Sequence, residues 1–333
     1  MAELERLFEA VGNAGTVLIL PHNDPDPDAI ASAVALRYLL AEKLGIESRI
    51  AYKGIVGRAE NKALVRYLDQ PLQRLTRQHL REGCPIALVD TQPGAGNNAL
   101  PPESVAAIVF DHHPRRETAS SAAFADIRPE VGATSTLLVE YLQAAGLEPP
   151  QPLITALFYG INSDTLGLSR GAGPADVAAY FYLQPQIDVQ ALAEIEHAQV
   201  PLDYFRSFDA TLHAARVYDG VVVAYIGAME YPDLAAEMAD LLLRLDKARW
   251  VICMGAYRDA LFMSVRTRSR RKGAEQLVQD IVGDQGTAGG HGTMAGGQIP
   301  LGDRNPEQQA NQIRQRVLKL LQVPPEATGF SLV

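Results

Sequence analysis

Four apolar segments of the chain end in histidines and aspartates. TVLIL (16–20) runs into HNDPDPDA, which carries His22, Asp26 and Asp28. PIALV (85–89) runs into Asp90, VAAIVF (105–110) into Asp111, His112 and His113, and PLITALFYGINS (152–163) into Asp164. No lysine or arginine relieves the repulsion within HNDPDPDA. A bound cation would offset it. His22, Asp26, Asp28, Asp90, His112 and Asp164 form an oxygen and nitrogen donor set without sulfur, which suits Mn2+ or Mg2+ better than a structural zinc site. Two divalent ions about 3.5–4 Å apart, held by bridging carboxylates, clamp an in-line displacement at phosphorus. Each residue alone has a plainer use. A histidine such as His22 is most often structural, Asp28 would cap the helix after it, and Asp164 would end one. The concurrence of four segments is what points to metal-assisted phosphoryl chemistry.

Such donors need a scaffold that brings strand ends together. TVLIL, SRIAY (48–52), PIALVD (85–90) and VAAIVFD (105–111) read as strands. The continuous apolar runs suit strands buried on both faces of a parallel sheet. Between and after them, 28–45, 132–146 and 151–164 have helical patterns. This alternation predicts an α/β fold with an open, mainly parallel sheet, whose sites lie beyond the C-terminal strand ends. Residues 171–200 read as helical and connecting. After them come strands at 220–227, 249–257 and 260–268, the last two joined by a turn at Arg258–Asp259, with helices at 235–248, 273–283 and 305–322. The expected organisation is a catalytic domain over 1–185, a helical linker over 186–204 and a smaller α+β domain over 205–333, with an active-site cleft between the domains.

The chain has 333 residues and a net charge of −9, so long duplex nucleic acid is not an expected partner, because phosphate neutralisation needs a basic surface. Cys84 and Cys253 are the two cysteines, far apart and outside any CxxC, which fits a reducing cytoplasm rather than a disulfide framework. The acidic N-terminus has no signal-peptide pattern, and no apolar run reaches the ~20 residues of a membrane span, so no membrane association is expected.

The His-x3-Asp-x-Asp spacing of HNDPDPDA, Asp90 in LVDT, the DHH triplet at 111–113 and Asp164 in INSDT together resemble the four N-terminal motifs of the DHH phosphoesterase superfamily. GTAGGHGTMAGG (286–297) is similar to the GGH motif of the DHH-associated C-terminal domain, and SVRTRS (264–269) resembles its Ser-x-Arg-Ser strand. The resemblance extends from about residue 15 to about 300 and keeps six motifs in family order. It implies a pair of Mn2+ ions, with Mg2+ or Co2+ as substitutes. One ion would be held by His22, Asp26, Asp90 and Asp164, the other by Asp28, Asp90, His112 and Asp164. His113 would contact phosphate or the leaving oxygen, Asp111 would orient His112, and Asp24 matches no ligand position.

Substrate binding is expected at Gly289, Gly290 and His291, in a Gly-rich loop where the two glycines' missing Cβ atoms let an anion approach, and at Arg266, whose guanidinium suits a terminal phosphate. Arg170 is a further phosphate candidate. Arg115 and Arg116 are weaker ones, and Arg268, Arg270, Arg271 and Lys272 are read as a solvated basic run or a phosphate funnel. Within the family, the compact two-domain members act on short oligonucleotides, dinucleotides or other small phosphate esters. GINSDTLGLSR and GGHGTMAGGQIP depart from nano-RNase patterns towards exopolyphosphatase-related proteins. An exopolyphosphatase or pyrophosphatase activity, or a metal-dependent nucleotide sensor, is the alternative, and a homodimer is the assembly kept open.

Overall fold

Every residue of TVLILP after Thr16 is buried, so its successive side chains must enter two different cores. The computed structural model describes residues 2–81, 83–269, 273–324 and 326–333, and it shows those two cores. Strand β1 (Thr16–Pro21) follows α1 (Ala2–Val11) and sends Val17 and Ile19 into one apolar cluster and Leu18 and Leu20 into the other. The elements after it are α2 (Pro27–Leu44), β2 (Glu47–Tyr52), α3 (Ala59–Tyr67), β3 (Leu72–Arg74), α4 (Arg77–Arg81), β4 (Ile86–Val89), β5 (Ile108–Asp111) and β6 (Phe124–Ile127). Four helices complete this part: α5 (Thr134–Ala144), α6 (Gln151–Thr165), α7 (Pro174–Leu183) and α8 (Val189–Glu196). The six strands form a parallel sheet in the order β3-β2-β1-β4-β5-β6. Strand order reverses between β1 and β4, and a crevice opens beyond the strand ends at such a point.

Local signals start and stop α2. The Asp26 carboxylate caps it by accepting from the Ala29 amide at 3.0 Å, Pro27 opens it, and Gly45 at φ +64° closes it. Gly160 on α6 faces this helix. A Cβ there would lie 2.5 Å from Ser135 Oγ and 3.2 Å from Asp28 Cα. Glycine to alanine inside a helix ordinarily adds stability, but here the overlap reverses the sign. We expect Gly160→Ala to destabilise the chain by about 1–3 kcal/mol, measured as a lower urea midpoint at unchanged m-value.

The chain divides into two compact units, Met1–Gln199 and Val200–Val333. The segment expected as a linker is shared between them, since α8 packs on α3 and α6 of the first unit. The second unit contains α9 (Leu202–Ala214), β7 (Arg216–Tyr218), β8 (Val221–Ala228), α10 (Leu234–Leu242), β9 (Trp250–Tyr257), β10 (Ala260–Thr267) and α11 (Ala274–Val282). It ends with β11 (Thr287–His291), β12 (Met294–Pro300), α12 (Pro306–Leu320) and β13 (Phe330–Ser331). Its mixed sheet has the order β11-β12-β10-β9-β8-β7-β13. One face packs on α11 and α12, the other on α9 and α10. Arg258 at φ +53° and Asp259 connect β9 to β10 in the expected hairpin. The Gly-rich stretch, expected as a loop, is instead a second hairpin, with Thr287 opposite Gln298 and Gly290 opposite Ala295. Among the described residues, no helix is long and apolar enough to cross a membrane.

Candidate metal centre

The ends of β1, β4 and β5 meet at the switch point of the first sheet, and their polar residues converge there. The His22 Nδ1 atom lies 2.7 Å from the Asn23 carbonyl, and this leaves Nε2 facing Asp26 Oδ1 at 3.5 Å and Asp90 Oδ2 at 3.4 Å. Asp90 stands just beyond β4 at φ +58°, a backbone state that aspartate tolerates better than most residues. Its other oxygen, Oδ1, faces His112 Nε2 at 3.5 Å and accepts from the Thr134 hydroxyl at 2.9 Å. His112 Nε2 is also 3.4 Å from Asp164 Oδ2. Donor atoms of His22, Asp26 and Asp90 lie within 4.8 Å of one another, as do those of Asp28, His112 and Asp164. Asp90 therefore turns one oxygen towards each group.

The electrostatics follow from four carboxylates in one pocket. Burial and the charges of Asp90 and Asp26 push the Asp28 carboxyl well above its ordinary range. Burial and the charges of Asp26, Asp28 and Asp90 do the same to Asp164, against the Arg170 guanidinium. Burial opposes charge on His22, but Asp26 and Asp90 outweigh it and hold its pKa well up. Burial also opposes ionisation of Asp26 and Asp90, yet the imidazoles beside them hold both carboxyls low. His112 is pushed down by burial, so its neutral ring offers a lone pair. Like charges this close do not all ionise without a positive charge among them. Six oxygen and nitrogen donors in two adjoining groups, bridged by one carboxylate, fit a pair of divalent cations.

Residues 16–161 match the DHH family, N-terminal domain. The first unit is a DHH-family domain. An uncharacterized protein of Methanocaldococcus jannaschii is 38% identical over 288 residues, which are 86% of this chain and 58% of that protein. A Streptococcus pyogenes protein named "Probable manganese-dependent inorganic pyrophosphatase" is 28% identical over 153 residues, 45% of this chain and 48% of that one. The chain thus spans about half the length of these curated relatives. In fold it is similar to an exopolyphosphatase-related protein from Bacteroides fragilis, with a TM-score of 0.74 over 96% of both chains at 14% identity.

Within the DHH triplet, Asp111 acts on a different ring from the expected one. Its Oδ1 accepts from the His112 and His113 amides at 2.9 and 3.2 Å and lies 2.8 Å from His113 Nδ1. The His112 ring bonds instead to the Val131 backbone. Burial opposes charge on His113, but the Asp111 hydrogen bond and the charge of Asp90 raise its pKa to about 9. Asp24, which matches no ligand position, ties two loops together: Oδ1 accepts from the Ile55 amide at 2.6 Å, and its own amide donates to Lys53 O at 3.0 Å.

Three supporting residues escaped the sequence reading. Gln92 is buried and donates to Asp111 Oδ2 at 2.7 Å, while its Oε1 accepts from the Arg116 amide at 2.8 Å. The Thr134 and Ser135 amides, in the first turn of α5, donate to the two Asp28 oxygens at 2.6 and 2.7 Å. The available signal was the Thr-Ser pair opening a helix, read only as part of a packing helix.

Arg170 lies beside the centre, donating Nη2 to the Asp164 carbonyl at 2.7 Å. In the second unit, Arg266 is buried, and its fork grips Asp240 of α10 through Nε at 2.5 Å and Nη2 at 3.4 Å, with Nη1 on Ser264 Oγ at 2.7 Å. A terminal phosphate on Arg266 would have to compete with that carboxylate. Gly289 and Gly290 are residues of β11, an edge strand. Arg268 donates to the Leu243 carbonyl at the end of α10. The His291 side chain and residues Arg270, Arg271 and Lys272 lie outside the described residues.

Proposed function

We propose that the chain is a metal-dependent phosphoesterase that hydrolyses phosphodiester or phosphomonoester bonds of short oligonucleotides or dinucleotides. The observation that carries this reading is Asp90, whose two oxygens face two separate donor groups. His22, Asp26, Asp90 and Asp164 would hold one Mn2+, and Asp28, Asp90, His112 and Asp164 a second. When bound, such ions lower the pKa of a water and neutralise charge on phosphoryl oxygens. Asp111 fixes the His113 ring through Nδ1, so Nε2 is the ring atom for substrate. A protonated His113 would pass its Nε2 proton to the leaving oxygen, which needs one as the ester bond breaks. Arg170 would steady a non-bridging phosphate oxygen from the Asp164 side. Arg266, Gly289, Gly290 and His291 of the second unit are proposed as substrate-binding residues. A reducing cytoplasm suits the two separate cysteines, of which Cys253 is buried.

A panel of pApA, pGpG, short RNAs, 3′,5′-bisphosphoadenosine, cyclic di-AMP, polyphosphate and pyrophosphate, assayed with Mn2+, Mg2+ and Co2+, tests the proposal. The expected result is Mn2+-supported turnover with the highest kcat/KM on a nucleotide ester. Turnover confined to pyrophosphate would reassign the chain to the activity in the name of its streptococcal relative, and turnover confined to polyphosphate would make it an exopolyphosphatase. Nucleotide binding without turnover would make it a sensor.

A further inference from the structure

Thr134 holds two of the carboxylates of the centre, Asp28 and the bridging Asp90. It is fully buried at the first position of α5. Its amide donates to Asp28 Oδ2 at 2.6 Å, in the group with His112 and Asp164. Its hydroxyl donates at 2.9 Å to Asp90 Oδ1, the oxygen that faces His112, while the same carboxylate turns Oδ2 to His22. The hydroxyl is held from both sides in sequence. Asp176 accepts from the Gly132 amide at 2.8 Å and from Thr136 Oγ1 at 2.5 Å, and the Ser135 amide is tied to Asp28 Oδ1 at 2.7 Å.

A carboxylate oxygen has two lone-pair directions. The Thr134 hydroxyl takes one of them at Oδ1 and leaves one for a cation. Asp90 Oδ2 meanwhile faces His22. A carboxylate constrained in this way offers one oxygen to each ion and is held from turning both oxygens onto one. We propose that Thr134 is a positioning residue that keeps Asp90 in its bridging orientation and so couples the binding of the two ions. This rests on the dinuclear reading above. A hydroxyl that only stabilised the start of α5 would leave ion binding unchanged when removed.

The test uses the full chain stripped of metal and titrated with Mn2+, followed by calorimetry and by electron paramagnetic resonance, which separates an exchange-coupled Mn2+ pair from isolated ions. The variants are Thr134→Val, which keeps the shape and removes the donor, and Thr134→Ser, which keeps the donor. Wild type is expected to bind two ions as a coupled pair. Thr134→Val should bind the second ion about 10- to 100-fold more weakly, the usual cost of losing a partner behind a metal ligand, and show isolated ions at intermediate loading. Thr134→Ser should restore both affinity and coupling. If the valine variant does not fold, Thr134→Ala repeats the deletion with less bulk. Wild-type affinity and coupling in the variant lacking the hydroxyl would overturn the role, as would a serine variant that behaves like valine. A wild-type chain that binds fewer than two ions would instead overturn the dinuclear reading, and this role with it.

Discussion

Asp90→Asn is expected to lose the second Mn2+ ion and more than about 100-fold in kcat/KM. The threshold is the upper end of what loss of an outer partner to a metal ligand costs, and a bridging ligand should exceed it. Asparagine is the informative replacement. Asp90 sits at φ +58°, where alanine would add backbone strain of its own, whereas asparagine visits that region readily. The amide oxygen still accepts from Thr134, but the bridging charge is gone. Metal content after gel filtration in Mn2+, with kcat/KM on the best substrate of the panel, checks the prediction. Two bound ions and unimpaired turnover would dismiss Asp90 as a bridge.

The second large effect is thermal. Metal-free, the first unit holds Asp26, Asp28, Asp90 and Asp164 together, and burial among like charges disfavours the ionised forms of Asp28 and Asp164. Ions that bind only the folded chain stabilise it by mass action, by about 2.7 kcal/mol for one site at a hundredfold excess over Kd. A unit of this size gains about 2–4 °C in Tm per kcal/mol. One occupied site should therefore raise Tm by roughly 5–11 °C, and two sites by more. Scanning calorimetry in EDTA and in excess Mn2+ measures the shift, and Asp90→Asn should shrink it. A wild-type Tm indifferent to millimolar Mn2+ would count against any metal at this centre.

The donor set was legible because its information is local. A carboxylate placed just after an apolar strand lies at a strand end whatever the partner strands are. The body of α2 and its stop at Gly45 were legible for the same reason, but its start was read at Asp28, whereas the cap is Asp26, two residues earlier. Two polar or mixed strands were not. The strands β3 (LQR) and β6 (FADI) lack the continuous apolar run that marked the equally brief β4 and β5. The stretch TAGGHGTMAGGQIP looked like a loop because glycine disfavours strands, yet pairing across to β10 and within the hairpin supplies what local propensity lacks. Arg266 was read as a phosphate fork from the resemblance carried by SVRTRS; the carboxylate it grips, Asp240, comes from a helix on the far side of β9 in the chain.

By itself, then, the sequence determined which atoms are available for chemistry: two imidazoles and four carboxylates at strand and helix ends, within an α/β grammar that sends such ends to one edge. The tertiary structure decided how those atoms are oriented. Strand order puts β1 beside β4, with Leu18 opposite Ile86, and only that pairing lets Asp90 stand between His22 and His112. The amides of α5 reach Asp28 from a helix remote in sequence, and the Asp111 carboxylate chooses His113 rather than His112. Residue type and spacing follow from covalent order, whereas the direction of a lone pair depends on hydrogen bonds between segments that meet only when the sheet is assembled.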